Sequence, residues 1–202
     1  MPKEAIACYV LAHGAGAGMH HPFLTGVAAG LAERRIATLR YQFLYMEQKA
    51  KRPDPPSLAH AAVRAAVAEA ARQAPGLALI AGGKSFGGRM TSQAQALSPL
   101  PNVRGLAFLG FPLHPAGKPS VERAAHLADV KVPMLFLQGS RDDLAILDLL
   151  RPQVESLGKR ATLEVFDDAD HSFHVPARIG KRDAEVMAEA LDAFAEWVRK
   201  II

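Results

Sequence analysis

Six short apolar runs, at positions 6–12, 36–41, 77–81, 105–109, 134–138 and 162–166, recur along the whole chain. They are nearly continuous in apolar residues rather than alternating. A strand that is apolar on both faces is buried on both faces, which is the condition inside a parallel sheet covered by helices. Between the runs lie longer amphipathic stretches at about 21–34, 57–73, 86–97, 121–127, 144–157 and 183–200. The last of these repeats Val186, Ala190, Leu191, Phe194 and Val198 on one face of a 3.6-residue period. Strand–helix alternation of this kind predicts an α/β fold of three layers, a mostly parallel six-stranded sheet with right-handed crossovers and helices on both faces. Ser57 is the expected N-cap of the second helix, and Pro75-Gly76 its stop.

The length, 202 residues, suits one domain spanning 1–202, and no insertion is long enough to form a second. A net charge of +4 is spread over scattered basic pairs such as Arg34-Arg35 and Lys181-Arg182. No basic face interleaved with aromatics emerges, so no nucleic-acid partner is expected. No segment approaches the ~18 unbroken apolar residues of a membrane span. The run near the N-terminus leads into His13-Gly14 rather than a cleavage site, so the expected location is cytoplasmic, as a monomer or homodimer away from membranes. The single cysteine, Cys8, excludes an intramolecular disulfide and sits inside an apolar run, where a packed thiol is expected.

In a parallel sheet, ligands bind beyond the carboxyl ends of the strands. The segment Ala81-Gly-Gly-Lys-Ser-Phe-Gly-Gly-Arg-Met90 follows the third run and admits two readings. Gly83-Lys84-Ser85 is the tail of a phosphate-binding loop, but Ala78 stands where that pattern needs its first glycine. The residues between, Leu79 to Gly82, are mostly strand interior and not free to cradle a phosphate. The other reading, Gly83-x-Ser85-x-Gly87, is the strand-to-helix turn that exposes a nucleophilic serine. Glycines are needed there because strand and helix approach closely, and the helix then aims its first N–H groups at the reacting centre.

A serine hydroxyl needs a histidine to take its proton, and the histidine needs a carboxylate to hold its tautomer. Asp142 follows the fifth run and His171 the sixth, in the chain order Ser, acid, His of this turn's usual setting. Asp143 competes with Asp142 for the acid role; the Gly-x-x-Asp spacing from Gly139 favours Asp142. Asp168 and Asp170 are expected to shape the histidine loop. For the oxyanion, one N–H donor is that of Phe86, and the other comes from the loop after the first run, with Ala15 first and Gly16 second. His13 is expected to shape that loop by hydrogen bonding. His13 is also a candidate for the substrate side, and His114 and Phe173 are candidate walls there. Lys84 has two readings, one meeting an anionic substrate or oxyanion and the other projecting to solvent.

These motifs resemble those of the α/β-hydrolase superfamily and, more narrowly, its small dienelactone-hydrolase-like group. That group includes bacterial proteins, a vertebrate testis-expressed protein and a subunit of a histone-acetyltransferase complex. The resemblance is carried by LAHGAGAGMHHPF (11–23), RYQFLYMEQKAKRPDP (40–55), GGKSFGGRM (82–90), FLGFPLHPAGKP (108–119), LQGSRDDL (137–144) and DADHSF (168–173). It implies a first strand equivalent to the usual third, and catalytic Ser85, Asp142 and His171.

Only about two dozen residues follow Leu109 before the next run, which leaves little room for a lid and favours a small-molecule ester as substrate. The expected activity is that of a serine esterase or thioesterase working through an acyl-enzyme. A non-catalytic binding module and an acyltransferase are the alternatives. No cofactor is implied, and no metal: neither His20-His21 nor His171 and His174 with their aspartates has the spacing of a known site.

Overall fold

The computed structural model describes residues 1–202. Strand β1 (Ala7–Ala12) leads through helix α1 (Pro22–Glu33) to β2 (Ile36–Tyr41). A single turn, α2 (Leu44–Glu47), and the long α3 (Pro56–Gln73) precede β3 (Ala78–Lys84) and α4 (Phe86–Leu97). Strand β4 (Val103–Leu109), a 3₁₀ turn at Glu122–Asp129 and β5 (Met134–Gly139) follow. Helix α5 (Leu147–Ser156), β6 (Ala161–Phe166) and α6 (Asp183–Ile201) complete the chain. All six expected strands are present and all pair in parallel, in the order β2-β1-β3-β4-β5-β6.

Alternation along β1 shows why the strands are apolar throughout. Tyr9 and Leu11 pack toward α1 and α6, and Cys8 and Val10 toward α3 and α4. Leu24, Val27 and Leu31 of α1 join Phe194 and Val198 of α6 on one face. Val63, Val67, Met90, Leu150 and Val154 cover the other. Each such fully buried large side chain contributes about 1.5–3 kcal/mol. Tyr9 adds a hydrogen bond from its hydroxyl to the Ala107 carbonyl at 2.9 Å and packs on Phe194. The thiol of Cys8 is buried, and burial pushes its pKa up.

Several boundaries differ from the sequence expectation. Helix α3 starts at Pro56 without a side-chain cap, so Ser57 is not its N-cap. Proline at the first helical position already has the required φ and no N–H to satisfy. Helix α5 starts at Leu147 rather than 144, because Asp142 holds the intervening residues in a turn: its Oδ1 accepts the Leu144 N–H and its carbonyl the Ala145 N–H. The stretch 121–127 forms a 3₁₀ turn, not an α-helix. Strand β3 continues three residues past 81, through two glycines. A Cβ on Gly82 would lie 1.8 Å from the Ala107 carbonyl oxygen, so glycine here permits strand pairing rather than ending it.

The strand order reverses direction at β1, with β2 on one side and β3 on the other. A parallel sheet opens a crevice at such a switch point. Ala12 pairs with Gly83, so the loops after β1 and β3 leave the sheet side by side.

Candidate active site

Ser85 occupies the sharp turn between β3 and α4, with φ 50° and ψ −116°. A non-glycine residue in this region is strained, and the surroundings must hold it there. Its N–H donates to the Leu109 carbonyl, anchoring the turn to β4, while α4 begins at the next residue. The helix packs so tightly on the β1 loop that a Cβ on Gly87 would lie 2.5 Å from the His13 carbonyl oxygen.

Asp142 and His171 come together from the ends of β5 and β6. His171 Nδ1–H donates to Asp142 Oδ2 at 2.6 Å, and the Asp142 side chain is fully buried. The same Oδ2 accepts from Gln138 Nε2, while Oδ1 accepts the Leu144 N–H at 2.8 Å. The buried carboxylate is therefore satisfied on both oxygens, as a charge in a low-dielectric site requires. Asp143 is exposed and makes no contact of this kind. With Nδ1 committed, the imidazole offers Nε2 as its free acceptor. That nitrogen is buried, bonds to no other group of the chain and belongs to a ring lining the same cleft as Ser85. Catalytic hydrogen bonds are often unmade in a free enzyme and tighten with substrate.

Gln138 went unnoticed in the sequence, although an amide inside an otherwise apolar strand was a visible signal. It is fully buried, and its Oε1 accepts the Phe111 N–H at 2.9 Å, which fixes the amide that faces Asp142.

The β1 loop is built around His13. Its ring donates from Nδ1 to the Gly14 carbonyl at 2.8 Å and accepts the Phe43 N–H on Nε2 at 3.0 Å. Burial, partly countered by the Gly14 carbonyl, lowers its pKa and keeps it neutral. Tyr45 closes the loop: its hydroxyl donates to Gly14 O and accepts the Gly16 N–H, each at 3.4 Å. Gly16 thus has its donor engaged, whereas Ala15 borders the clefts on both sides of Ser85. Phe86, the first residue of α4, borders the larger one.

Lys84 does not project to solvent, and it borders the smaller of the two clefts beside Ser85. Its side chain is buried, Nζ donates to the His171 carbonyl, and the ammonium lies 5.6 Å from the Phe23 ring centre and 6.0 Å from that of Phe173. Burial lowers its pKa to about 8, against the pull of Asp142 and Asp170. Phe173 is buried between Phe23, Phe166 and Lys84, beneath the cleft rather than along it. His114 is likewise not a wall at Ser85. It is fully buried, with Nδ1 bonded to the Pro115 carbonyl and Nε2 accepting the Ile146 N–H, so it ties the loops after β4 and β5 together. Asp170 shapes the histidine loop by accepting the N–H groups of Ser172 and His174.

Two open clefts flank Ser85. The smaller, about 380 Å³, is lined by His21, Phe23, Leu24 and His171; the larger, about 1000 Å³, by Phe86, Arg89, Arg123 and the 48–56 loop. No helix is long and apolar enough to cross a membrane.

A family model described as an alpha/beta hydrolase domain matches residues 5–199. Among solved structures, the chain is similar to a dienelactone hydrolase from Anabaena variabilis, with a TM-score of 0.78 at 21% identity, covering 100% of this chain and 89% of that one. A putative alpha/beta hydrolase of unknown function from Agrobacterium tumefaciens gives 0.74 at 19%, over 99% and 90% of the two chains. A serine hydrolase without a lid from Xanthomonas campestris gives 0.72 at 22%, over 98% and 85%. At these identities the likeness is one of fold.

Proposed function

The chain belongs to the family of alpha/beta hydrolase domains, and from that premise we propose that it is a serine hydrolase of small esters or thioesters. The observation that carries the reading is the strained Ser85 turn set in one cleft with a histidine whose other nitrogen is held at 2.6 Å by a buried carboxylate. Backbone strain of this kind persists only where the surroundings hold it, and it clusters at active sites.

Ser85 Oγ attacks the carbonyl carbon as its proton passes to His171 Nε2, and Asp142 stabilises the imidazolium that forms. The N–H groups of Phe86 and Ala15 hold the oxyanion of the tetrahedral intermediate. Its collapse breaks the ester bond, and the alcohol or thiol leaves with the proton from His171. Water then loses a proton to the same nitrogen and attacks the acyl-enzyme, releasing the acid and restoring Ser85. The segment 110–133 carries only a 3₁₀ turn above the site, which supports an open site and short acyl groups.

A fluorophosphonate probe is the direct test. It labels the wild type and fails to label Ser85→Ala; a folded wild type that resists labelling removes the reading.

A further inference from the structure

The larger cleft beside Ser85 is lined by three arginines, Arg52, Arg89 and Arg123, and by a single acid, Asp54. Asp54 is already engaged through Oδ2, which accepts the Tyr45 N–H at 3.1 Å. At neutral pH three guanidiniums and one carboxylate leave two positive charges facing the cleft. None of the three arginines forms an ion pair or a side-chain hydrogen bond within the fold.

Arg89 is the most informative of them. It is half-buried, its Nε is buried with no partner, and its guanidinium lies 5.9 Å from the Phe86 ring centre. An unpaired buried donor is costly in a folded protein, the more so when it is charged. Arg89 also sits in the first turn of α4, which has no acidic residue there. The helix N-terminus is its positive end, so a cation at that place is opposed by the helix, whereas an anion is welcomed. Burial and the nearby charge of Arg123 both lower the Arg89 pKa. Arg89 and Arg123 are near enough to repel each other beside Ser85, and Asp54 offsets only one of the three positive charges of the cleft.

We propose that this cleft takes a phosphate group, and that the substrate is an ester or thioester carrying a phosphate on the part remote from the scissile bond. The proposal deepens the reading of Ser85 as nucleophile and rests on it. A phosphate monoester carries about −1.5 to −2 charges at pH 7, which matches the cleft better than a single carboxylate. Planar guanidiniums pair with its oxygens two at a time. The volume, about 1000 Å³, also exceeds what a short acyl chain alone would fill.

The test compares p-nitrophenyl esters of butanoic acid, of glutaric acid with its second carboxylate free, and of γ-phosphooxybutanoic acid. The phosphorylated ester is expected to give a kcat/KM at least about tenfold above the neutral one, the scale of one or two charge-assisted hydrogen bonds. Arg89→Met and Arg123→Met should each lower the ratio of phosphorylated to neutral ester by about tenfold. Arg123 lies on the 3₁₀ turn outside the sheet core, so its variant reads the cleft even if Arg89→Met folds poorly. Inorganic phosphate should compete with the neutral ester, and less well against Arg123→Met. Equal kcat/KM for the three esters, or a ratio that neither variant moves, overturns the proposal; a preference for the glutarate ester overturns the choice of phosphate. If the wild type hydrolyses none of them and resists the fluorophosphonate, the nucleophile reading fails. Calorimetric titration of phosphate into Ser85→Ala then judges the cleft separately: binding keeps the anion site, and no binding removes it.

Discussion

Two cations bracket Ser85, Lys84 one residue before it and Arg89 four residues after, and the fold treats them in opposite ways. Lys84 turns inward. Its ammonium has the His171 carbonyl, two aromatic rings and the charges of Asp142 and Asp170 around it. Arg89 turns toward the cleft and finds no protein acceptor. On the Lys84 side the chain supplies partners for Lys84 and for both oxygens of Asp142, and leaves His171 Nε2 without one. On the Arg89 side satisfaction is left to something outside the chain. The difference teaches that charge near a nucleophile is not a substrate signal until its partners are known.

The largest expected effect strikes the centre of the satisfied side. Asp142→Asn should leave the fold intact and lower kcat on p-nitrophenyl butyrate by about 10⁴-fold, since the amide cannot hold the same histidine tautomer. A loss under tenfold means that Asp142 does not orient His171.

Next is the joint between the two sides. Gly87→Ala places a Cβ 2.5 Å from the His13 carbonyl and 2.6 Å from the Ala12 Cβ, so α4 must shift. Overpacking against backbone should cost about 3 kcal/mol or more, read by urea denaturation; a stability equal to wild type contradicts that packing.

Lys84 can be tested by titration. Its pKa is about 8 in the folded protein and 10.5 in an unfolded chain, so between those values the unfolded state binds more protons. Stability relative to Lys84→Met should therefore rise with pH from 8 to 10.5, by roughly 3 kcal/mol at most, and stay flat below 8. A difference that does not change with pH places the ammonium in water. Lys84→Arg, which keeps the donor, should retain more kcat than Lys84→Met.

The smallest effect lies behind Arg89. His126 Nε2 is 2.7 Å from Ser92 Oγ, and burial, followed by the charge of Arg89, lowers its pKa to about 4. Between pH 6.5 and 4 the unfolded chain binds the extra proton, so stability falls as pH drops through that window. The ring is partly exposed, which limits the loss to about 1 kcal/mol. His126→Gln should lose this acid sensitivity, measured as the difference in melting temperature between pH 7 and pH 4.

Much of this architecture was legible in one dimension. The six strands could be read because continuous apolar runs have few alternatives, and Ser85, Asp142 and His171 because each follows such a run in a set order. Helix starts were less legible. The beginning of α5 depends on Asp142 capturing two local N–H groups, an event that periodicity does not encode. Gln138 and Arg89 were missed for different reasons. Gln138 stood out as an amide in an apolar strand, but its partners Phe111 and Asp142 come from loops that only the fold brings together. Arg89 is one helical turn from Ser85, a spacing that suggests proximity but not direction.

The sequence alone determined the α/β class, the parallel sheet and the rim on which polar residues gather, because apolar periodicity and turn chemistry are local properties of the chain. Only the tertiary structure decided that His114 and Phe173 are buried ties, that Gly16 has its N–H engaged while Ala15 faces the clefts, and that Lys84 and Arg89 part ways. Those outcomes depend on which groups other strands and loops bring into contact, and such partners lie far away along the chain, 87 residues for Lys84 and His171 and 150 for Phe23 and Phe173.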